Sequence, residues 1–100
     1  MADITRYKKA SQFSSLLAHP VRLMVLDMLR QSGALSVEDI RHALDIPKAN
    51  LSRHLAQLRH KKFVSVRREG RNKIYELGSA HVGELCRVLH DVCDAIDHSP

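Results

Sequence analysis

The sequence predicts a mainly α-helical domain carrying one small β-hairpin, and three observations carry the prediction. Apolar residues recur at helical steps of three and four through residue 61. Between residues 63 and 77 the period drops to two, with a glycine turn in the middle. From residue 79 the helical period returns and runs almost to the end. One hundred residues, 44% of them hydrophobic, make a single domain spanning 1–100 with a modest core.

The first expected helix covers residues 1–18. Tyr7, Ala10, Phe13 and Leu17 share one face, with Leu16 beside it. His19-Pro20 closes it, because the residue before a proline disfavours helical backbone. Pro20 opens a second helix to about Gln31. Its stripe is Val21, Met24, Val25 and Met28, broadened by Leu23, Leu26 and Leu29, so it is the central core element. Ser32-Gly33 stops it. Ser36 is an N-cap candidate: Ser36-Val37-Glu38-Asp39 resembles a capping box with Asp in the third place, and both acids suit the helix dipole. The short third helix turns Val37, Ile40 and Leu44 inward, and Asp45-Ile46 makes a tight turn out of it.

The stretch from Pro47 to Lys61, PKANLSRHLAQLRHK, is the one around which the chain is organised. Leu51, Leu55 and Leu58 form a narrow buried stripe, and Pro47 suits the first turn, where its missing N–H would be unpaired anyway. The opposite face carries Lys48, Ala49, Ser52, Arg53, Gln57 and His60, with Asn50 in the first turn: small and cationic near its start. Alone, this is an ordinary amphipathic surface helix. Two short helices joined by a tight turn, the second basic, make a helix-turn-helix over 36–61. The start of such a second helix is where base edges are reached in a DNA major groove. Residues 63–77 then alternate on either side of Glu69-Gly70-Arg71-Asn72, a hairpin whose basic tip carries Arg71 and Lys73. A basic hairpin alone is a solvated edge guarded by charge. Directly after a helix-turn-helix it is a wing, and the architecture becomes a winged helix-turn-helix in the order α-α-α-α-β-β-α.

The last helix, 79–98, carries Val82, Leu85, Leu89, Val92 and Ile96 on one stripe. Cys86, His90, Cys93 and Asp97 lie on the adjacent one. A small core has little room for so wide a face. Dimerisation through the first and last helices is therefore expected, with two basic helices presented to half-sites about 34–36 Å apart.

Charge distribution supports the nucleic-acid reading. The net charge is +5, but residues 48–73 hold nine of the sixteen Lys and Arg and one of the eleven acids, a net of +8; the remainder is −3. A polyanionic partner follows, double-stranded DNA in preference to an acidic membrane surface, since this segment lacks the large aromatic or apolar face of an interfacial helix. No run approaches the roughly 18 apolar residues of a membrane span, and no signal-peptide core follows Met1. A cytoplasmic location without a membrane partner is expected, where two cysteines read as reduced thiols, a metal site or a redox site. An enzyme is disfavoured: there is no Gly-rich phosphate loop, no convergent carboxylate pair and no Cys-His pair in a plausible cleft. The remaining alternative is a winged-helix protein-interaction or dimerisation module that binds DNA only weakly and without selectivity.

Four segments resemble the ArsR/SmtB family of winged-helix repressors, over roughly Ser11 to Ile96. They are Leu17-Ala18-His19-Pro20-Val21-Arg22-Leu23, Leu35 to Ile40, Leu51-Ser52-Arg53-His54-Leu55-Ala56-Gln57-Leu58, and Val66 to Leu77. The resemblance implies a homodimer that binds a palindromic operator, represses transcription and leaves when an effector binds. It places Lys48, Ala49, Ser52, Arg53 and, at the wing, Arg71 against DNA. Pro47 and Ala49 stand where the family often has Ser, and Lys48 where Gln is common, which shifts that contact toward guanine or phosphate. His54, beside the buried stripe, reads as a packed or hydrogen-bonded structural residue in preference to a DNA contact.

The family's effector patterns are mostly absent. Its Cys-x-Cys positions on the third helix hold Ser36 and Glu38. Of the zinc pattern on the last helix only His81 survives, since Ser79, Val92 and Ala95 fill the other places. The stripe Cys86, His90, Cys93 and Asp97 then has three readings: packing in a dimer seam, a transition-metal ion completed by other ligands, or redox sensing. Cys86 and Cys93 are about 10 Å apart along one helix, beyond disulfide reach. An antiparallel helix pair would instead bring Cys86 opposite the partner's equivalent of Cys93, giving two intersubunit bridges on oxidation.

Overall fold

The computed structural model describes residues 3–98; residues 1–2, expected at the start of the first helix, and 99–100, at the end of the domain, lie outside them. The elements are α1 (Ile4–Ser15), α2 (Pro20–Ser32), β1 (Ala34–Ser36), α3 (Val37–Leu44), α4 (Lys48–His60), β2 (Val64–Glu69), β3 (Asn72–Leu77) and α5 (Ala80–Asp97). The expected winged-helix order is present, with one added strand.

The helix α1 ends earlier than expected. Ser11, Ser14 and Ser15 each donate their hydroxyl to a carbonyl three or four residues back. The N–H groups of Leu16, Leu17 and Ala18 then bond only three residues back, a tightened last turn. Pro20 starts α2 at its first helical position. The buried face of α2 is Arg22, Val25, Leu26 and Leu29. It is rotated from the expected stripe, leaving Met24 half exposed and bringing a charged residue inward.

Ser36 caps α3 as expected, its hydroxyl accepting the Asp39 N–H at 3.1 Å. Ile40 is fully buried, while Val37 and Leu44 pack at the margin of the core. Asp45 leaves the helix in left-handed backbone, φ 50°. Pro47 sits one place before α4, as its N-cap residue, so the expected first-turn position shifts by one; its carbonyl accepts the N–H groups of Asn50 and Leu51. Leu51, Leu55 and Leu58 are all buried, as their spacing predicts. Lys62 then takes φ 63°, the Phe63 N–H bonds Leu58 O at 2.9 Å and the Lys62 N–H bonds Arg59 O at 2.9 Å. This is a Schellman stop with lysine in the usual glycine place.

The sheet has three antiparallel strands in the order β1-β3-β2. The short β1 was not expected; it pairs Leu35 with Tyr75 across about forty residues of chain. In the wing, Glu69 pairs with Asn72, so the strands run further than the sequence pattern indicated and the loop is only Gly70-Arg71. Gly70 takes φ 63°, the positive sense that primed hairpin turns require. The core joins Leu16, the α2 face, Ile40, the α4 leucines, Phe63, Val64 and Tyr75 to Val82 and Cys86 of α5. Phe13 stacks on Phe63 at 5.6 Å and ties α1 to this core.

Gly78 joins the wing to α5. Its N–H bonds Phe63 O at 2.8 Å, and a Cβ there would lie 2.0 Å from the Lys62 carbonyl oxygen. Backbone, not a flexible side chain, blocks that space. Gly78→Ala is therefore expected to cost about 1–3 kcal/mol, with Tm falling roughly 4–8 °C per kcal/mol in thermal unfolding at fixed protein concentration.

Candidate nucleic-acid interface

The outward face of α4 and the wing form one continuous cationic surface. Lys48, Ala49, Asn50, Ser52 and Arg53 are all exposed along the first half of α4. Arg71 at the hairpin tip and Lys73 on β3 are exposed as well. Between α4 and the hairpin lies an open cleft of about 470 Å³ whose lining includes Lys48, Ser52, Arg71 and Lys73. The structure thus brings those four together, while Ala49, Asn50 and Arg53 lie outside the cleft lining. Two cations not singled out from the sequence, Arg59 and Arg68, line the same cleft. Lys48, Ser52, Leu55 and Arg59 follow steps of four, three and four, a face visible in the sequence; Arg68 needs the hairpin register.

Gln57 is placed differently from the expectation. Its side-chain oxygen accepts a hydrogen bond from the Arg22 guanidinium, which binds it to α2. Arg22, 6% exposed, also donates to His54 Nδ1 at 3.1 Å and to Leu16 O at 3.5 Å. His54 is therefore the hydrogen-bonded structural histidine its position implies. Burial, then the charges of Arg22, Arg53 and His19, push its imidazole below the ordinary value of 6.5. Protonation at Nδ1 would also remove the acceptor that Arg22 uses.

The effector candidates on α5 are divided among different surroundings. Cys86 is fully buried against its own domain, where burial and then the Asp27 carboxylate push its thiol up. His90 Nε2 is hydrogen-bonded to Asp27 Oδ2 of α2. Cys93, Asp97 and His81 are exposed. Among the described residues no three His, Cys, Asp or Glu side chains are grouped to hold a metal ion. The expected bridge between Cys86 and a partner's equivalent of Cys93 is corrected as well, because Cys86 faces α2 and the core. The buried face of α5 is Val82, Gly83 and Cys86; Leu85, Val88, Val92 and Ile96 remain exposed along it.

Comparison with known proteins agrees with this geometry. A helix-turn-helix domain model matches residues 17–67. The transcriptional repressor SmtB homolog of Synechocystis is 34% identical over 89 residues, covering 89% of this chain and 67% of that protein. The chain belongs to the ArsR/SmtB family of winged-helix transcriptional regulators. Two solved structures share its fold. Rv0081 of Mycobacterium tuberculosis superposes with a TM-score of 0.84 at 31% identity, covering 90% of each chain. Mb0332 of Mycobacterium bovis, described as a homodimeric winged helix-turn-helix DNA-binding domain and a possible ArsR-family regulator, gives 0.82 at 28%, covering 100% of this chain and 94% of the other. As an ArsR/SmtB-type regulator, the chain is a DNA-binding protein.

Two outcomes follow from these surroundings. The folded His54 takes up its proton at lower pH than the unfolded chain does, so the stability it contributes is present above about 6.5 and is lost as pH falls from there through the depressed folded value. Thermal melts across about pH 7.5 to 5.5 should show a steeper loss for wild type than for His54→Gln, whose oxygen accepts the Arg22 bond without titrating. In the Cys93→Ser variant, the remaining Cys86 thiol should react with a chromogenic disulfide reagent only as fast as the protein unfolds. Rapid reaction in the native state would place Cys86 at the surface.

Proposed function

We propose that this regulator is a homodimeric cytoplasmic repressor, without enzymatic activity, that binds a palindromic operator and leaves it when an effector binds. The observation that carries the reading is the division of its surface. The α4–wing side is cationic, and the outer side of α5 exposes Leu85, Val88, Val92 and Ile96, four apolar residues at helical spacing. An apolar stripe on a polar monomer marks an interface, and a two-fold pairing there is self-complementary and presents two α4 helices to one duplex. The homodimeric neighbour described above supports the same assembly. In this reading Lys48, Ala49, Asn50, Ser52 and Arg53 face the major groove, Arg71 and Lys73 contact the flanking backbone or minor groove, and Gln57 orients Arg22.

The test is fluorescence anisotropy with duplex DNA from upstream of the gene, against a scrambled duplex, in reduced, oxidised and metal-supplemented buffer. Preference for the upstream duplex, released by one condition, is the expected result. Arg53→Ala should weaken upstream binding by about 1–3 kcal/mol and relax selectivity while leaving scrambled binding nearly unchanged. Equal affinity for upstream, scrambled and genome-selected duplexes would overturn the repressor reading and leave a module that binds DNA without selectivity.

A further inference from the structure

Beyond the residues that face the groove, the hairpin register assigns a second task to this surface. In β2 and β3, residues directly opposite one another share a face of the sheet. Val64 pairs with Leu77, Val66 with Tyr75, and Arg68 with Lys73. This inner face begins apolar at the body, where Tyr75 is buried, and turns cationic as it leaves the core. Like charges directly opposite on an antiparallel pair oppose strand pairing. Among the described residues neither Arg68 nor Lys73 has an ion pair; the one acid lining the same cleft, Glu38, is paired with Arg41 instead. The neighbouring Arg67, on the other face, is paired with both Glu69 and Glu76, at 3.1 and 3.4 Å. One arginine of the strand is neutralised, and the next is left facing a second cation.

The third member comes from α4. Arg59 lies two turns beyond Ser52 and lines the cleft together with Arg68 and Lys73. The same three residues line a second hollow of about 290 Å³ that continues the cleft along β2. When α4 lies in a major groove and the wing reaches the next minor groove, the strand that separates the two grooves passes between them. We infer that Arg59, Arg68 and Lys73 form a clamp for the phosphates of that strand, at the base of the wing and distinct from the tip contact of Arg71. The inference rests on the DNA-binding reading above. It explains why a repulsive cross-strand pair is kept: a phosphate between the two cations converts the repulsion into attraction only in the complex. The clamp carries no base information, so it sets affinity and register, not sequence preference.

The experiment measures how binding to a random-sequence duplex depends on salt, between about 50 and 200 mM, for Arg59→Gln, Arg68→Gln and the double variant. Each lost phosphate contact should reduce the slope of log affinity against log salt by about 0.9, and the double variant by about 1.8. Upstream and random duplexes should weaken by the same factor. Arg68→Lys, which keeps the charge, should retain the wild-type slope, and Arg87→Gln, paired on α5 with Glu84 and Asp91, should also leave it unchanged. Free Arg68→Gln should melt at or above the wild-type Tm in low salt, since it relieves the opposition to Lys73. Wild-type slopes in folded Arg59→Gln and Arg68→Gln would overturn the clamp. Reduced slopes in a protein that prefers no operator would uphold the clamp and overturn the repressor reading.

Discussion

A guanidinium bonded to neutral acceptors holds this domain together at its centre. Arg22 lies on the buried face of α2, and its hydrogen bonds go to neutral acceptors: His54 Nδ1, Gln57 Oε1 and Leu16 O. A buried charge is tolerated only when its hydrogen-bonding capacity is met. The arrangement works only if α4 is rotated so that His54 and Gln57 point at α2 while Leu51, Leu55 and Leu58 enter the core. That rotation leaves Lys48, Ser52 and Arg53 outward. The polar anchor and the leucine stripe set the same azimuth by independent means, and the orientation of the DNA-facing side is their joint consequence. Because Arg22 has no ion pair among the described residues, its charge also adds to the positive potential beneath α4.

The same helix holds the other functional face. Asp27, five residues from Arg22, engages Arg30 on its own helix and His90 on α5. Gly83 lets α5 approach closely: a Cβ there would come within 3.1 Å of Leu77 and 3.4 Å of Arg30. With Gly83 and Cys86 turned to α2, the wider residues of α5 point away from the body. The small side chains make the intramolecular contact, and the large apolar ones are left for a partner.

Much of this was legible in the residues. The change of period at residue 63, the Ser36 cap, the α4 leucines and the glycine turn each act through neighbours a few positions away, so local pattern reports them. What was not legible depends on distant chain. The three residues of β1 are too few to show a period, and they are a strand because Tyr75 and its neighbours offer an unpaired edge. The buried stripe of α2 was misplaced by one position because Arg22 interrupts an apolar run, and only His54 and Gln57, more than thirty residues on, explain its burial. On α5 the more apolar stripe, Leu85, Val92 and Ile96, stays outside, while Cys86 of the adjacent, more polar stripe is buried. Cys86 falls inside because Gly83, one turn before it, permits close packing, and that glycine was the available signal. Arg59 was within reach of helical spacing, but Arg68 was not, since its face depends on which residue ends the hairpin turn.

The distribution of ion pairs gives the surface its direction. Four arginines are matched with acids: Arg30 with Asp27, Arg41 with Glu38, Arg67 with Glu69 and Glu76, Arg87 with Glu84 and Asp91. Such exposed pairs add little stability each. Their effect is to lower the field where they stand. Arg53, Arg59, Arg68 and Arg71 have no ion pair among the described residues, so the long-range field converges on the α4–wing side and orients a polyanion before contact. An even spread of the same sixteen cations and eleven acids would keep the net charge and lose that direction. The acids thus shape the surface: by pairing with Arg30, Arg41, Arg67 and Arg87, they leave Arg53, Arg59, Arg68 and Arg71 open to a polyanion.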